Sequence, residues 1–436
     1  MPLLGISATL RAAQTLMDCL VIKGGTPLKG DVKISGAKNA ALPLMAATLL
    51  TRDECVLRNL PNLSDVQYMA RILKSLGAEV EMNRGTVRVR AKEIEGFGDY
   101  DLIRKMRGSI CILGPLMGRL NEAKVSMPGG CVIGARPIDL HLKGMRDLGA
   151  KVRVEAGYVH AKAAKLTGGE SFLGGRCGPT VLGTANVMMA ATLASGTTVI
   201  HSAACEPEIE DLADFLNAMG AKISGAGSPT ITIHGVRRLQ GAEHRIIPDR
   251  IETATYALAG AVTNGNVMLR GCNPGHLSAV LDKMREAGVR LEAGRNTLLI
   301  RPSKRLHSVD IATMPHAGFP TDVQAQMMVL MLQSPGISII TERIFESRFM
   351  HVNELARMGA NISIEGPSAI VKGGLPLSGA DVMASDLRAS AALVLAGMAA
   401  SGVTRVNRVY HIDRGYENID GKLRALGANI SREPGQ

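Results

Sequence analysis

The chain has 436 residues, 46% of them apolar, and its 50 Lys and Arg against 39 Asp and Glu give a net charge of +11. That length predicts two domains rather than one core, and the longest apolar run, Ala389–Gly402, is too short to cross a bilayer, so no membrane partner is expected. The basic residues are dispersed, and six Phe, six Tyr and no Trp leave little to stack on bases, which argues against nucleic acid and for small anionic ligands.

Residues 1–16 lack an apolar signal-peptide core and read as a loose N-terminal extension, with the fold starting near Met17. A strand in "CLVIKGG" is followed by an apolar helix, "NAALPLMAATLL". Next comes an amphipathic helix in which Val66, Met69, Ala70, Leu73 and Leu76 share one face, with Ser64 and Gln67 expected as its capping box and Gly77 as its left-handed stop. The alternating "VEMNRGTVRVR" then predicts a hairpin.

This unit recurs. "LKSLGAEV", "MRDLGAKV", "LNAMGAKI", "MREAGVRL", "LARMGANI" and "LRALGANI" place glycines at 77, 149, 220, 288, 359 and 427, a period of about seventy residues. Further hairpins are read in "VRVEAGYVHAK" and "ISIEGPSAIVK", and helices apolar on nearly all sides in "TANVMMAATLA", "TATYALAGAV", "QAQMMVLMLQ" and "RASAALVLAGMAA". The sixth copy is cut short, so the N-terminal strand should complete it. The fold class expected is α/β: two inside-out domains of three repeats each. One is continuous (38–246) and the other joins both ends (17–37 plus 247–436), with the apolar helices inside and sheets around them.

Equivalent positions that differ between repeats are where chemistry is expected. The inner helices begin with Lys38-Asn39, Arg107, "GPTVLGTAN", Arg250, Asp322 and Arg388. A cation at a helix N-terminus is disfavoured by the dipole unless an anion joins it. Arg250 has Asp249 and Glu252 beside it, and Arg388 has Asp386; Lys38 has no acid close in sequence. The loops before the outer helices hold Asp65, Cys131 with Arg136, "CEPEIED", "NPGHLSA", Arg348 and Arg414. Arginine forks grip phosphate and carboxylate, so a strongly anionic ligand is implied. Seven scattered cysteines without a C-x-x-C pair suit a reducing cytoplasm and speak against disulfides or structural zinc. Cys55, Cys111 and Cys272 read as buried hydrophobes, whereas Cys131 lies in a glycine-rich loop near Arg136, where a thiol is accessible and its pKa lowered. There is no phosphate-binding G-x-x-x-x-G-K-[ST] loop and no H-x-x-x-H pair, so neither ATP hydrolysis nor a metal site is expected, and "GGESFLGG" reads as a turn.

"SGAKNAALP", "PGGCVIGARPIDLH", "PDRIET", "FPTDVQAQ", "FESRFMHV", "DLRAS" and "YHIDRGYE" resemble, in order from about Leu20 to Glu433, the enolpyruvyl transferases acting on UDP-N-acetylglucosamine. The resemblance implies transfer of the enolpyruvyl group of phosphoenolpyruvate to the 3′-hydroxyl of that sugar nucleotide, releasing phosphate. This is the first committed step of bacterial peptidoglycan synthesis, hence of cell wall biogenesis, cell shape and division. It also implies that no cofactor is needed. Lys38, Asn39, Arg136, Arg348, Arg388 and Arg414 would bind phosphoenolpyruvate. Cys131 would be the proton donor alkylated by fosfomycin, Asp322 the base, and Lys38 a stabiliser of the charged transition state. Arg107, Arg136, Pro137, Ile138, Asp139, Leu140, Thr180, Gly183, Asp322 and Ile344 would contact the UDP-sugar. Two departures stand out: Ser64 replaces a family lysine, and "TVLGTANVM" replaces a segment with a diphosphate-binding serine, for which Thr180 or Thr184 would substitute while Gly183 and Asn186 persist. A shikimate-3-phosphate-dependent transferase and a non-catalytic RNA binder are the alternatives, and a monomer is favoured.

Overall fold

The computed structural model describes residues 18–97, 100–103, 106–127, 129 and 137–434. Its buried apolar side chains fall into two clusters. One runs from Ala37 to Ile246; the other joins Leu20–Ile34 to Ile251–Ile430.

In all six repeats the glycine of the repeated signature ends an outer helix in the same way. Ala78 N–H reaches back to Leu73 O at 3.0 Å and Gly77 N–H to Lys74 O at 3.0 Å, with Gly77 at φ +97°. This is the Schellman arrangement, and glycine is the residue that takes its left-handed position without strain. The bonds repeat at Ala150–Met145, Ala221–Leu216, Val289–Met284, Ala360–Leu355 and Ala428–Leu423. Each stop turns the chain into a strand of the next hairpin.

Among the described residues the hairpins form five four-stranded sheets and one three-stranded sheet, besides a short ribbon at 174–179. Strand Cys19–Lys23 lies between Val403–Asn407 and Asn429–Glu433, antiparallel to both, so the N-terminal strand does complete the last repeat. The inner helices explain their all-round apolarity by position: every residue of Arg250–Val262 is buried, as are nine of the ten in Lys38–Ala47. Each buried Leu, Ile or Met side chain stabilises such an arrangement by roughly 1.5–3 kcal/mol.

Two local expectations fail. Ser64 is the first residue of the outer helix Ser64–Ser75, not its cap; extended Leu63 takes that place without a side-chain bond, and Gln67 donates to Asn62 Oδ1 at 3.3 Å instead. The cause is Leu63 itself, which is buried and sets the register of the first turn. "GGESFLGG" is no simple turn either. Glu170–Phe172 is a strand running parallel to Thr197–His201, with Ser171 buried and donating to Asp147 at 2.7 Å.

Helices Leu113–Leu120 and Val181–Ala191 approach so closely that a Cβ on Gly114 would lie 2.3 Å from the Asn186 carbonyl oxygen. Gly114→Ala is expected to lower unfolding free energy by about 1–3 kcal/mol in denaturant titration; an unchanged value would show that the two helices separate easily.

Candidate active site

The chain passes between the cores twice, and the two passes are fastened together. Ala37 N–H donates to Ile247 O at 2.8 Å and Asp249 N–H to Ser35 O at 2.9 Å. Asp249 then caps two helices at once. Its Oδ1 accepts from Ile251 and Glu252 N–H at 2.8 and 2.9 Å, and its Oδ2 accepts from Lys38 N–H at 3.1 Å. Ala37, which precedes Lys38, has no side chain able to do this. The two inner helices, one in each core, therefore start at one shared carboxylate.

Beside this junction Lys38 Nζ meets Asp65 Oδ2 at 2.6 Å, and Arg414 Nε from the other core meets Asp65 Oδ1 at 3.0 Å. Burial presses the Lys38 ammonium below its ordinary value although Asp65 opposes the shift, and Arg388 and Arg414 add to the depression. Burial pushes the Asp65 carboxyl up, but Lys38 and Arg414 outweigh it and hold the group below its usual range. A second carboxylate is shared in the same manner. Asp322 Oδ1 accepts from Arg348 Nη1 at 2.8 Å, and Oδ2 from Arg388 Nη2 at 3.1 Å. Burial acts upward on Asp322 too, and the Arg388 and Arg348 guanidiniums overcome it, leaving the carboxyl well below the carboxylate range. Arg388 lies over the Tyr416 ring at 5.3 Å, and Asp386 caps its helix. Four cations from both cores thus share two carboxylates, leaving an excess of positive charge.

The expected local partners of these cations do not hold. Lys38 does have an acid, Asp65, brought by folding. Arg250 turns from Asp249 and Glu252 to Glu208 of the first core, at 3.0 Å. Glu252 instead pairs with Lys422 at 2.6 Å, and burial pushes its carboxyl up to about 7 despite that lysine. Arg388 offers only its backbone N–H to Asp386, its guanidinium going to Asp322.

Other candidates are placed as follows. Asn39 is exposed at the helix start next to Lys38. Cys131 and Arg136 lie outside the described residues. Arg107 Nη2 reaches Pro137 O at 3.4 Å, so the helix start and the far end of the Cys131 loop are adjacent. Pro137 and Asp139 are exposed, Leu140 half-buried and Ile138 buried in the first core. Thr180 caps helix Val181–Ala191 by accepting from Gly183 N–H at 3.3 Å. Thr184 is fully buried, donating to Thr180 O and accepting from Ala204 N–H, so it faces the interior rather than a ligand. Asn186 is interior as well: Oδ1 accepts from Gly114 N–H, and Nδ2 donates to Ile110 O and to His141 Nδ1. Burial, aided by Arg107, pushes His141 down to about 3, so the ring is neutral with its proton on Nε2. Ile344 N–H donates to Glu342 Oε1 at 2.8 Å. Burial raises the thiols of Cys55, Cys111 and Cys272 to about 11, 12 and 11, as inert hydrophobes. Sequence reasoning missed Asp249 as a double cap, although its spacing to Glu252 before an apolar run marks a helix start, and it missed Glu208 and Glu342, which have no local spacing signal.

The family profile described as EPSP synthase (3-phosphoshikimate 1-carboxyvinyltransferase) matches residues 22–423. This chain belongs to that family of enolpyruvyl transferases. It is 53% identical over 416 residues to the UDP-N-acetylglucosamine 1-carboxyvinyltransferase of Methylacidiphilum infernorum, covering 95% of this chain and 99% of the relative. It is 52% identical over 420 residues to that of Coxiella burnetii, covering 95% and 96%. Among solved structures, the enolpyruvyl transferase NikO from Streptomyces tendae superposes with a TM-score of 0.88 at 26% identity, over 96% of this chain and all of that one. EPSP synthase from Acinetobacter baumannii shares the fold, with a TM-score of 0.71 at 16% identity over 95% of this chain and 100% of that one. Among the described residues no helix is long and apolar enough to cross a membrane.

Asp249→Ala removes the cap of two helices together and is expected to cost at least about 1–2 kcal/mol in chemical denaturation, a full single-cap loss; a cost near zero would mean water caps both starts equally well.

Proposed function

We propose that the chain transfers the enolpyruvyl group of phosphoenolpyruvate to the 3′-hydroxyl of UDP-N-acetylglucosamine with release of phosphate, the first committed step of peptidoglycan synthesis, in the cytoplasm. One observation carries the reading: among the described residues, the side chains of four cations, Lys38, Arg348, Arg388 and Arg414, share salt bridges with two carboxylates, Asp65 and Asp322, near where the two cores meet. Relatives more than half identical over nearly the whole chain bear that enzyme's name. We read the two cores as two domains, 17–37 with 247–436 and 38–246.

In this reading Lys38, Asn39, Arg136 and Arg414, with Arg348 and Arg388, receive the phosphate and carboxylate of phosphoenolpyruvate. Arg107, Pro137, Ile138, Asp139, Leu140, Gly183 and Ile344 surround the UDP-sugar, and Thr180, whose oxygen caps a helix, keeps its own proton for a phosphate oxygen. Asp322 takes the proton from the sugar 3′-hydroxyl as its oxygen bonds to C2, and Cys131 gives a proton to C3. The tetrahedral adduct then loses a proton from C3 and expels phosphate by breaking the C2–O bond, leaving the enolpyruvyl ether. General acid and base each supply about 10²–10⁴-fold.

The resting Asp322 is a weak base because two guanidiniums hold it. An incoming phosphate or carboxylate that draws Arg388 from Oδ2, while Arg348 stays on Oδ1 and keeps the carboxylate in line, would raise its proton affinity when the sugar hydroxyl is in place. Substrate binding then switches the base on.

Asp322→Asn is expected to bind UDP-N-acetylglucosamine normally in calorimetry while turnover falls by about 10²-fold or more; wild-type turnover would remove Asp322 from the reaction. Cys131→Ser is expected to lose both turnover near neutral pH and covalent labelling by fosfomycin, followed by intact-mass measurement, and normal labelling would reject that assignment. The reading as a whole is tested by phosphate release from phosphoenolpyruvate with either acceptor. Release with UDP-N-acetylglucosamine supports it, and release with shikimate 3-phosphate alone overturns it.

A further inference from the structure

We propose that Glu342 is the positioning residue that sets the geometry of the Asp322–Arg348 pair, acting through the hydroxyl of Thr321. The inference rests on the reading above, in which Asp322 accepts the proton of the sugar hydroxyl.

Glu342 has no exposed surface. Its Oε1 accepts from Thr313 Oγ1 at 2.7 Å, Ile344 N–H at 2.8 Å and Phe345 N–H at 3.0 Å, and its Oε2 accepts from Thr321 Oγ1 at 2.8 Å. These donors fill the capacity of a carboxylate, and all are neutral. Burying a carboxylate among neutral donors is costly, and an apolar side chain of similar size would serve the core better. The carboxylate is there to hold its partners.

What it holds leads to the site. Thr321 has one hydroxyl proton, and giving it to Glu342 leaves the oxygen to accept from Arg348 Nη1 at 2.9 Å. That same Nη1 donates to Asp322 Oδ1 at 2.8 Å. Glu342 therefore fixes where the Thr321 hydroxyl proton points and so turns the lone pairs of that oxygen to Arg348, which can only donate and goes on to Asp322. It acts on Arg348 from a second side as well, because the Phe345 backbone it anchors carries a ring 5.8 Å from the guanidinium. Arg388, on the other oxygen of Asp322, bonds to neither Glu342 nor Thr321.

Two isosteric changes separate positioning from folding. Thr321→Val breaks the chain toward Arg348 and leaves the three Oε1 bonds. Thr313→Val breaks an Oε1 bond, and the bond Thr313 accepts from Arg343 N–H, without touching Thr321, Arg348 or Asp322. In the full chain, assayed by phosphate release with both substrates, Thr321→Val and Glu342→Gln are expected to lower kcat about ten-fold or more, with KM for UDP-N-acetylglucosamine within about two-fold. The double variant should be no slower than the slower single one, since both cut the same chain. Thr313→Val should lower the unfolding temperature and keep kcat within about two-fold of wild type. Wild-type kcat in Thr321→Val, or an equal loss in Thr313→Val, overturns the proposal. If Glu342→Gln does not fold, Thr321→Val carries the test. If the wild-type chain itself turns over neither substrate, the functional reading fails separately. A crystal structure of Thr321→Val then decides the positioning role: Arg348 displaced from Asp322 supports it, and an unmoved Arg348 overturns it.

Discussion

A buried carboxylate is expensive unless cations meet it, and Asp65 and Asp322 each meet two. That sharing is the constraint on which the rest of the site depends. With one acid per cation the cluster would be neutral and indifferent to anions. With no acids, four positive groups held this close would repel one another and the two cores would not approach. Two acids among four cations leave the halves joined and the cluster richer in cations than in acids. Asp65 draws one partner from each half, so its two ion pairs form where the halves meet.

The repeat scaffold explains why helix starts converge there. Each glycine stop sends the chain into a hairpin on the outside, and each apolar helix runs inward. The starts of inner helices Lys38–Ala47 and Arg250–Val262 are pinned together by Asp249, and the shared cap turns two chain crossings into one fixed junction. Lys38 and Arg250 follow directly from that junction, one turning to Asp65 and the other to Glu208. Further out, Asp322 and Arg388 start the remaining inner helices of the same half, with Tyr416 under the guanidinium.

Much of this could be read from residue order alone. The six glycines gave the repeat, and each stands at positive φ because the same pair of backbone bonds demands it. The apolar helices announced their burial, and the truncated sixth copy pointed to Cys19–Lys23 as its missing strand. The positions of the cations were legible too, but their partners were not. Asp65 reaches Arg414 from 349 residues away, and Glu208 reaches Arg250 from 42, separations that no helical or strand period encodes. Local rules misled where burial overruled them: Ser64 fits a capping box, yet burying Leu63 moved it into the first turn. Glycines around Glu170–Phe172 suggested a turn, while the neighbouring strand Thr197–His201 recruited the segment as a parallel partner. Glu342 gave no signal because its donors come from three separate segments.

A single anion site built from both halves of the molecule should lose affinity when either half is changed. Calorimetric titration of phosphoenolpyruvate into the chain saturated with UDP-N-acetylglucosamine tests it most directly, comparing wild type with Lys38→Met from one half and Arg414→Met from the other. Each substitution is expected to weaken binding by about ten-fold or more, the worth of a charge-assisted contact. Wild-type affinity in either variant would contradict it.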